Sequence, residues 1–221
     1  MPDPSPHRRH AVLSELVVKQ TPTHDLAHNW AHVERVHHWC IRIATELGED
    51  ADLAGAAGLV HDLLLVPKDH ADRASAGELS AARAPELLQA AGYDEAEIAV
   101  VCDAVRTGPW SAQLPPSGPI GAILQDADRL DAIGVTGAFR NIAVAQDMAR
   151  RRPNNAFWHP TDPLHLDPER PLNDGRFALD HWHVKLLTLA DGMNTAPARR
   201  EGARRHAHML QLLDMLATEQ R

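Results

Sequence analysis

Apolar residues recur at helical spacing along most of this chain. One segment shows the pattern clearly, with apolar residues three or four positions apart: Val33, Val36, Cys40, Ile43 and Leu47. This spacing places them on one face of an α-helix, which ends at Gly48. Apart from a weak strand pattern near residues 16–19, no stretch alternates apolar and polar residues well enough to predict a strand. Because alanine and leucine dominate over β-branched and aromatic residues, the sequence predicts an all-α fold.

The same periodicity, interrupted by glycine and proline, predicts the order of the elements. Helices are expected over about 8–19, 30–47, 51–64, 75–91, 94–107, 119–132 with a continuation to about 151, 176–190 and 197–219. Asp94 is a predicted N-cap. Residues 153–175 contain five prolines and no periodicity, so they predict a long proline-rich loop. We expect a single domain over 1–221, with a core at about 20–150 and a C-terminal helical extension at about 176–219.

Charge and cysteine content exclude several classes of protein. The net charge is -8, which argues against a broad nucleic-acid-binding surface. The two cysteines, Cys40 and Cys102, lie singly within helical patterns and are expected to be reduced thiols of a cytoplasmic protein. No signal peptide and no apolar run of membrane length occurs, so no membrane association is expected. We expect a monomer or a homodimer.

The dipeptide His61-Asp62 lies at the end of an apolar helix, where packing favours hydrocarbon side chains. A buried carboxylate needs an opposite charge or a metal ion. His32 lies upstream and Asp128 downstream, each beside the apolar face of its own helix. A mixed nitrogen and oxygen ligand set suits one divalent ion such as Mn, Ni, Co, Fe, Zn or Mg, and the absence of thiolates argues against a structural zinc site. Four such ligands leave coordination positions open.

Each of these residues also has a simpler interpretation. A lone histidine on a helix face more often packs or hydrogen bonds than binds a metal. Asp128 alone fits an ion pair with Arg129 or Arg35, and Asp126 and Asp131 compete with it as ligands. The joint pattern of His32, His61, Asp62 and Asp128 favours the metal site more strongly than any member does.

Four segments of the chain resemble the HD-domain metal-dependent phosphohydrolases: 27–36, 58–66, 123–134 and 170–189. The resemblance is closest to a bacterial branch that includes nucleoside-triphosphate pyrophosphohydrolases. It implies an HD-domain helical bundle in which His32, His61, Asp62 and Asp128 hold one divalent metal ion. The chain departs from the branch at two positions. Asn29 replaces an acidic residue, and Gly108 replaces a histidine.

A divalent ion can polarise a phosphoryl oxygen and lower the pKa of a bound water, so the predicted reaction is phosphate hydrolysis. Candidate catalytic residues are Asp62, Lys68, His28, Asp180 and His181. Within this set, His28 is a candidate proton donor to the leaving group, and Asp180-His181 is a candidate general acid or ligand-orienting pair. Candidate substrate-binding residues are Arg73, Ser75, Arg129, Arg176 and Lys185.

Three functions stay open at this point. The leading hypothesis is a metal-dependent phosphohydrolase acting on a nucleotide or a related phosphate ester. The sequence does not distinguish release of pyrophosphate from release of orthophosphate. A nucleotide-sensing module without turnover is the second hypothesis, because the loop histidine is missing at Gly108. The third is an HD-type diiron oxygenase, which needs further histidines, and His70 is the nearby candidate.

Overall fold

The computed structural model describes residues 6–64, 75–151 and 155–219. The helices are α1 (Pro6–Val18), α2 (Trp30–Leu47), α3 (Ala51–Val60), α4 (Ala76–Ala90), α5 (Glu95–Thr107), α6 (Gly118–Asp131), α7 (Gly134–Arg151), α8 (Asp180–Val184) and α9 (Ala196–Glu219). Short 3₁₀ turns lie at Trp110–Ala112 and Leu186–Thr188. Within the described ranges, extended pairing is limited to an isolated parallel bridge between Ala156 and Phe177. The all-α prediction is confirmed.

Side-chain caps define the starts of the two helices that the sequence predicts most closely. The Asn29 side chain accepts a hydrogen bond of 3.4 Å from the backbone N–H of His32, at the first turn of α2. Gly48 ends this helix in the left-handed conformation, at φ 73°. Asp94 and Glu97 form a capping box at the start of α5, so the predicted N-cap is confirmed.

Two helices are shorter in the structure than the sequence predicts. Helix α3 ends at Val60, and residues 61–64 form turns in place of its predicted last turn. The helix predicted over 176–190 is wrong in its bounds, because the backbone of Arg176 and Ala178 hydrogen bonds to Ala156. Helix α8 ends at Val184, since Lys185 leaves the helical conformation at φ −136°.

The chain divides into two compact units, residues 1–128 and 129–221. In the first unit, α3 packs against α1, α2, α4 and α5. A Cβ added at Gly58 would lie 2.9 Å from the Cα of His37 and 3.1 Å from the Sγ of Cys40. Glycine therefore permits the close approach of α3 to α2. Cys40 is fully buried, and burial raises the pKa of its thiol.

A polar cluster connects α1 to α3 and α5 in the first unit. The Arg9 guanidinium forms ion pairs with Asp52 and Glu97 and lies 3.8 Å from the centre of the Tyr93 ring. The hydroxyl of Tyr93 donates to Asp52 at 3.0 Å, and the His10 ring lies 2.9 Å from the same carboxylate. Because these partners are far apart in sequence, the cluster fixes α1 against α3 and α5.

In the second unit, α7 packs against α9, and the indole of Trp182 on α8 donates to Asn141 on α7 at 3.1 Å. Asp180 is buried and accepts two hydrogen bonds of 2.9 Å from the Arg170 guanidinium. The expectation of one domain over 1–221 stays a prediction. Across the described parts of both units, no helix has the length and apolar character that crossing a membrane requires.

Candidate metal centre

Two histidines from different helices meet in the first unit. His32 lies in the first turn of α2 and is 1% exposed, while His61 follows the last residue of α3. Their Nε2 atoms are 3.2 Å apart. Two nitrogen ligands each about 2.1 Å from one ion, with bonds at about 100°, have this separation. The pair therefore fits a shared cation.

Two carboxylates lie beside this histidine pair. An Asp128 oxygen is 3.7 Å from the Nε2 of His32, and an Asp62 oxygen is 3.9 Å from the same atom. Ligand atoms of His32, His61 and Asp128 all lie within 4.8 Å of one another. Asp62 does not belong to this trio, although its oxygen approaches His32. The negative charge balances a divalent ion, and the absence of sulfur ligands favours a catalytic over a structural site.

A backbone carbonyl orients His61. The Nδ1–H of His61 donates to the carbonyl oxygen of Gly58 at 2.8 Å. A histidine ligand is commonly held in this way, because the second ring nitrogen sets the tautomer and the direction of the first. The lone pair of the His61 Nε2 is then available to the shared site with His32.

Substituting Gly58 by Ala is expected to disturb this centre without removing any ligand. The new Cβ would meet the backbone of His37 at 2.9 Å, so α3 must move away from α2. We expect a loss of about 1–3 kcal/mol in the free energy of unfolding and weaker metal binding. Gly192→Ala is the matched control, because a Cβ there has no atom closer than 3.7 Å. Equal metal affinity and stability in both variants would contradict the close-packing argument.

A third histidine, His28, lies next to the centre and has a partner that the sequence interpretation missed. The Nδ1 of His28 lies 2.9 Å from Asp25, and its ring packs edge to face against His32 at 6.1 Å between centroids. The hydrogen bond from His28 holds the pKa of Asp25 well below its usual range. The Asp-x-x-His spacing was the available signal. It was missed because residues 25–28 belong to no helix.

The structure separates the competing acidic residues. Asp131 forms an ion pair of 3.0 Å with Arg140. Asp126 is fully buried and does not belong to the trio.

A Cβ at Gly108, where the branch carries a histidine, would lie 3.2 Å from the Val105 carbonyl oxygen and 3.4 Å from Leu124. A side chain at this position would therefore need only a small adjustment of its neighbours, since Gly108 is partly exposed.

Several predicted site residues have other contacts in the structure. The Arg129 guanidinium donates to the Gly192 carbonyl at 2.6 Å, and Ser75 is exposed before α4 without a capping bond. Arg176 is exposed and lies over the Phe177 ring. Lys68, Arg73 and His70 lie outside the described residues. The assignments of these three residues stay predictions. The same holds for the other candidate substrate-binding residues, Arg129, Ser75, Arg176 and Lys185.

Asp180 and His181 occupy polar contacts inside the second unit. Beside its Arg170 bonds, Asp180 accepts a hydrogen bond of 2.7 Å from the backbone of Asn173. Burial acts to raise the pKa of Asp180, but these bonds lower it. The Nδ1 of His181 lies 2.9 Å from Asp174. These contacts favour a structural ion pair at Asp180, and the catalytic assignment of both residues stays a prediction.

An all-α unit with a histidine-histidine-aspartate trio of this geometry defines a candidate metal-binding helical domain. The HD domain family model matches residues 29–133. The uncharacterized protein YpgQ of Bacillus subtilis is 30% identical over 191 residues, which cover 86% of this chain and 82% of that protein. The chain belongs to the HD domain family.

Solved structures agree with this assignment over nearly the whole chain. The crystal structure of Bacillus subtilis YpgQ in complex with ADP matches with a TM-score of 0.70 and 26% identity, covering 97% of this chain and 96% of that chain. An HD-superfamily hydrolase from Bacillus thuringiensis matches with a TM-score of 0.67 and 25% identity, covering 97% of this chain and 95% of that chain. The fold is thus that of HD-superfamily hydrolases.

Proposed function

We propose that this protein is a metal-dependent phosphohydrolase that acts on a nucleotide. The observation that carries the proposal is the convergence of the His32 and His61 Nε2 atoms at 3.2 Å, with the Asp128 and Asp62 carboxylates beside them. These four residues would hold one divalent ion. When bound, such an ion would polarise a phosphoryl oxygen and lower the pKa of a coordinated water.

The chain's own residues contribute position and charge. His32 is buried in the first turn of α2, and the Gly58 carbonyl orients His61, so little reorganisation is needed when a phosphate group binds. We assign proton donation to the leaving group to His28: the imidazolium form gives up its Nε2 proton and becomes the neutral ring, while Asp25 holds the Nδ1–H. Phosphoryl transfer depends mainly on such positioning and on charge neutralisation.

The substrate class that we propose is the nucleoside triphosphates, cleaved to a monophosphate and pyrophosphate. Two observations support it. The motif segments resemble the branch that contains such pyrophosphohydrolases, and the YpgQ structure of similar fold was solved in complex with ADP. Among the described residues, one trio of potential metal ligands occurs, which fits a single ion. His70, on which the diiron alternative depends, lies outside the described residues.

Product analysis tests this proposal. The purified chain is incubated with Mn, Co, Ni, Mg or Zn and a panel of nucleoside tri- and monophosphates. We expect pyrophosphate and monophosphate in equal amounts, and loss of both products when the metal is chelated. Release of orthophosphate from monophosphates would replace the pyrophosphohydrolase assignment by a phosphomonoesterase. Stabilisation by nucleotides without turnover would refute hydrolysis and favour the sensing module.

A further inference from the structure

A cavity of about 360 Å³ lies within the second unit, apart from any residue assigned above. One wall comes from the C-terminal half of α7, and the other from residues 155–158. The lining residues are Ala145, Gln146, Ala149, Asn155, Ala156, Phe157 and Trp158. Small-molecule sites begin at about 300 Å³, so the cavity has the size for a nucleoside and is small for a folded partner.

The second wall carries two aromatic rings. The centroids of Phe157 and Trp158 are 6.1 Å apart, and the rings are tilted by 42°. Phe157 is 50% exposed although it is a large apolar residue. The hydrogen bond from the Leu179 N–H to the Phe157 carbonyl, at 2.8 Å, fixes the backbone of this wall. Aromatic surfaces held open in this way suit the face of a planar ring.

The cavity also has two side-chain amides. Gln146 is exposed on α7 and makes no hydrogen bond within the described part of the chain, so its amide offers both a donor and an acceptor. The Nδ2 of Asn155 donates to the Gly175 carbonyl at 3.2 Å, which leaves its Oδ1 as an acceptor. The Hoogsteen edge of adenine presents an N6 donor beside the N7 acceptor, and the side-chain amide of Asn or Gln pairs with both.

We propose that this cavity binds the adenine ring of a nucleoside or nucleotide. The aromatic wall stacks on the ring, and the Gln146 amide pairs with N6 and N7. This inference goes beyond the proposed function, because it requires neither a phosphate group nor a metal ion. The competing occupant is a second copy of the chain, since α7 also exposes an apolar row formed by Val135, Phe139 and Ile142.

Equilibrium dialysis of the full chain without added metal tests the site. The probes are adenosine, guanosine, and 7-deazaadenosine, which lacks the N7 acceptor. We expect saturable binding of adenosine, with guanosine and 7-deazaadenosine about tenfold weaker because each loses part of the amide pairing. Gln146→Ala is expected to weaken adenosine to the same extent, and Trp158→Leu to abolish its binding.

Two control variants distinguish binding in this cavity from the proposed hydrolase activity. Gln211→Ala, an exposed glutamine of α9, is expected to bind adenosine normally. Asp62→Ala is also expected to bind adenosine, so failure of the hydrolase proposal leaves this result intact. Equal binding of all three probes, or loss of adenosine binding in Asp62→Ala, would overturn the inference. So would a chain that dimerises and binds no nucleoside, because a second copy would then cover the cavity.

Discussion

Substituting Asp62 by Ala is expected to leave the protein folded but without bound metal and without hydrolytic activity. An Asp62 oxygen lies 3.9 Å from the His32 Nε2 and an Asp128 oxygen lies 3.7 Å from it, so the substitution removes negative charge that would balance the ion. A metal ion contributes several kcal/mol of transition-state stabilisation, so the rate should fall about a thousandfold or more. Metal content by elemental analysis and product formation measure the two effects.

Asp214→Ala is the control for this variant, because Asp214 is an exposed aspartate on α9 with no role in the site. It should retain metal and full activity. Asp62→Asn keeps the size of the side chain and should also lose activity, because the charge is gone. Full metal content and an unchanged rate in Asp62→Ala would mean that the proposed centre is wrong.

Substituting Arg170 by Ala is expected to have the largest effect on stability. Its side chain is 8% exposed and pairs with Asp180, which is 1% exposed. Removing the guanidinium leaves a buried carboxylate without its counter-charge, which costs about 3 kcal/mol in the free energy of unfolding. It also releases Asp162, which accepts from the Arg170 Nε at 2.9 Å. Denaturant unfolding of the variant and the parent measures the loss.

Two further variants separate the buried charge from a general loss of arginine. Arg204→Ala removes an arginine that pairs with Glu201 at the surface, so its effect should be much smaller. The double variant Arg170→Met with Asp180→Leu removes both charges and should recover part of the stability. If Arg170→Ala costs no more than Arg204→Ala, the pair is not a stabilising contact of the second unit.

The sequence predicted the helices with local signals better than those without them. For α2, the apolar spacing and Gly48 give bounds of about 30–47, and the structure has Trp30–Leu47. For α8, the predicted range was 176–190, whereas the structure has Asp180–Val184. The difference comes from Arg170 and the backbone of Ala156, which make contacts across a loop. Periodicity carries no information about such contacts.

The candidate site also combines features that the sequence predicts with features that it does not predict. The structure brings together His32, His61 and Asp128 and places an Asp62 oxygen 3.9 Å from His32, as their helix faces and the family resemblance led us to expect. Their assignment as metal ligands stays a prediction. The partner of His28 was not predicted, because Asp25 lies in a turn where no helical face indicates which side chains meet. The position of His61 after the last residue of α3 was also missed. Both features depend on the conformation of a turn, which helical periodicity does not predict.

The close contact between α2 and α3 gives the first unit a natural chemical reporter. Cys40 lies fully inside this contact, against Gly58, and its thiol is held in the protonated form. An alkylating reagent reacts with the accessible thiolate, so it modifies this buried sulfur only after the packing around it opens. The rate of alkylation at Cys40 therefore reports how often the packing opens around the helix that carries His32.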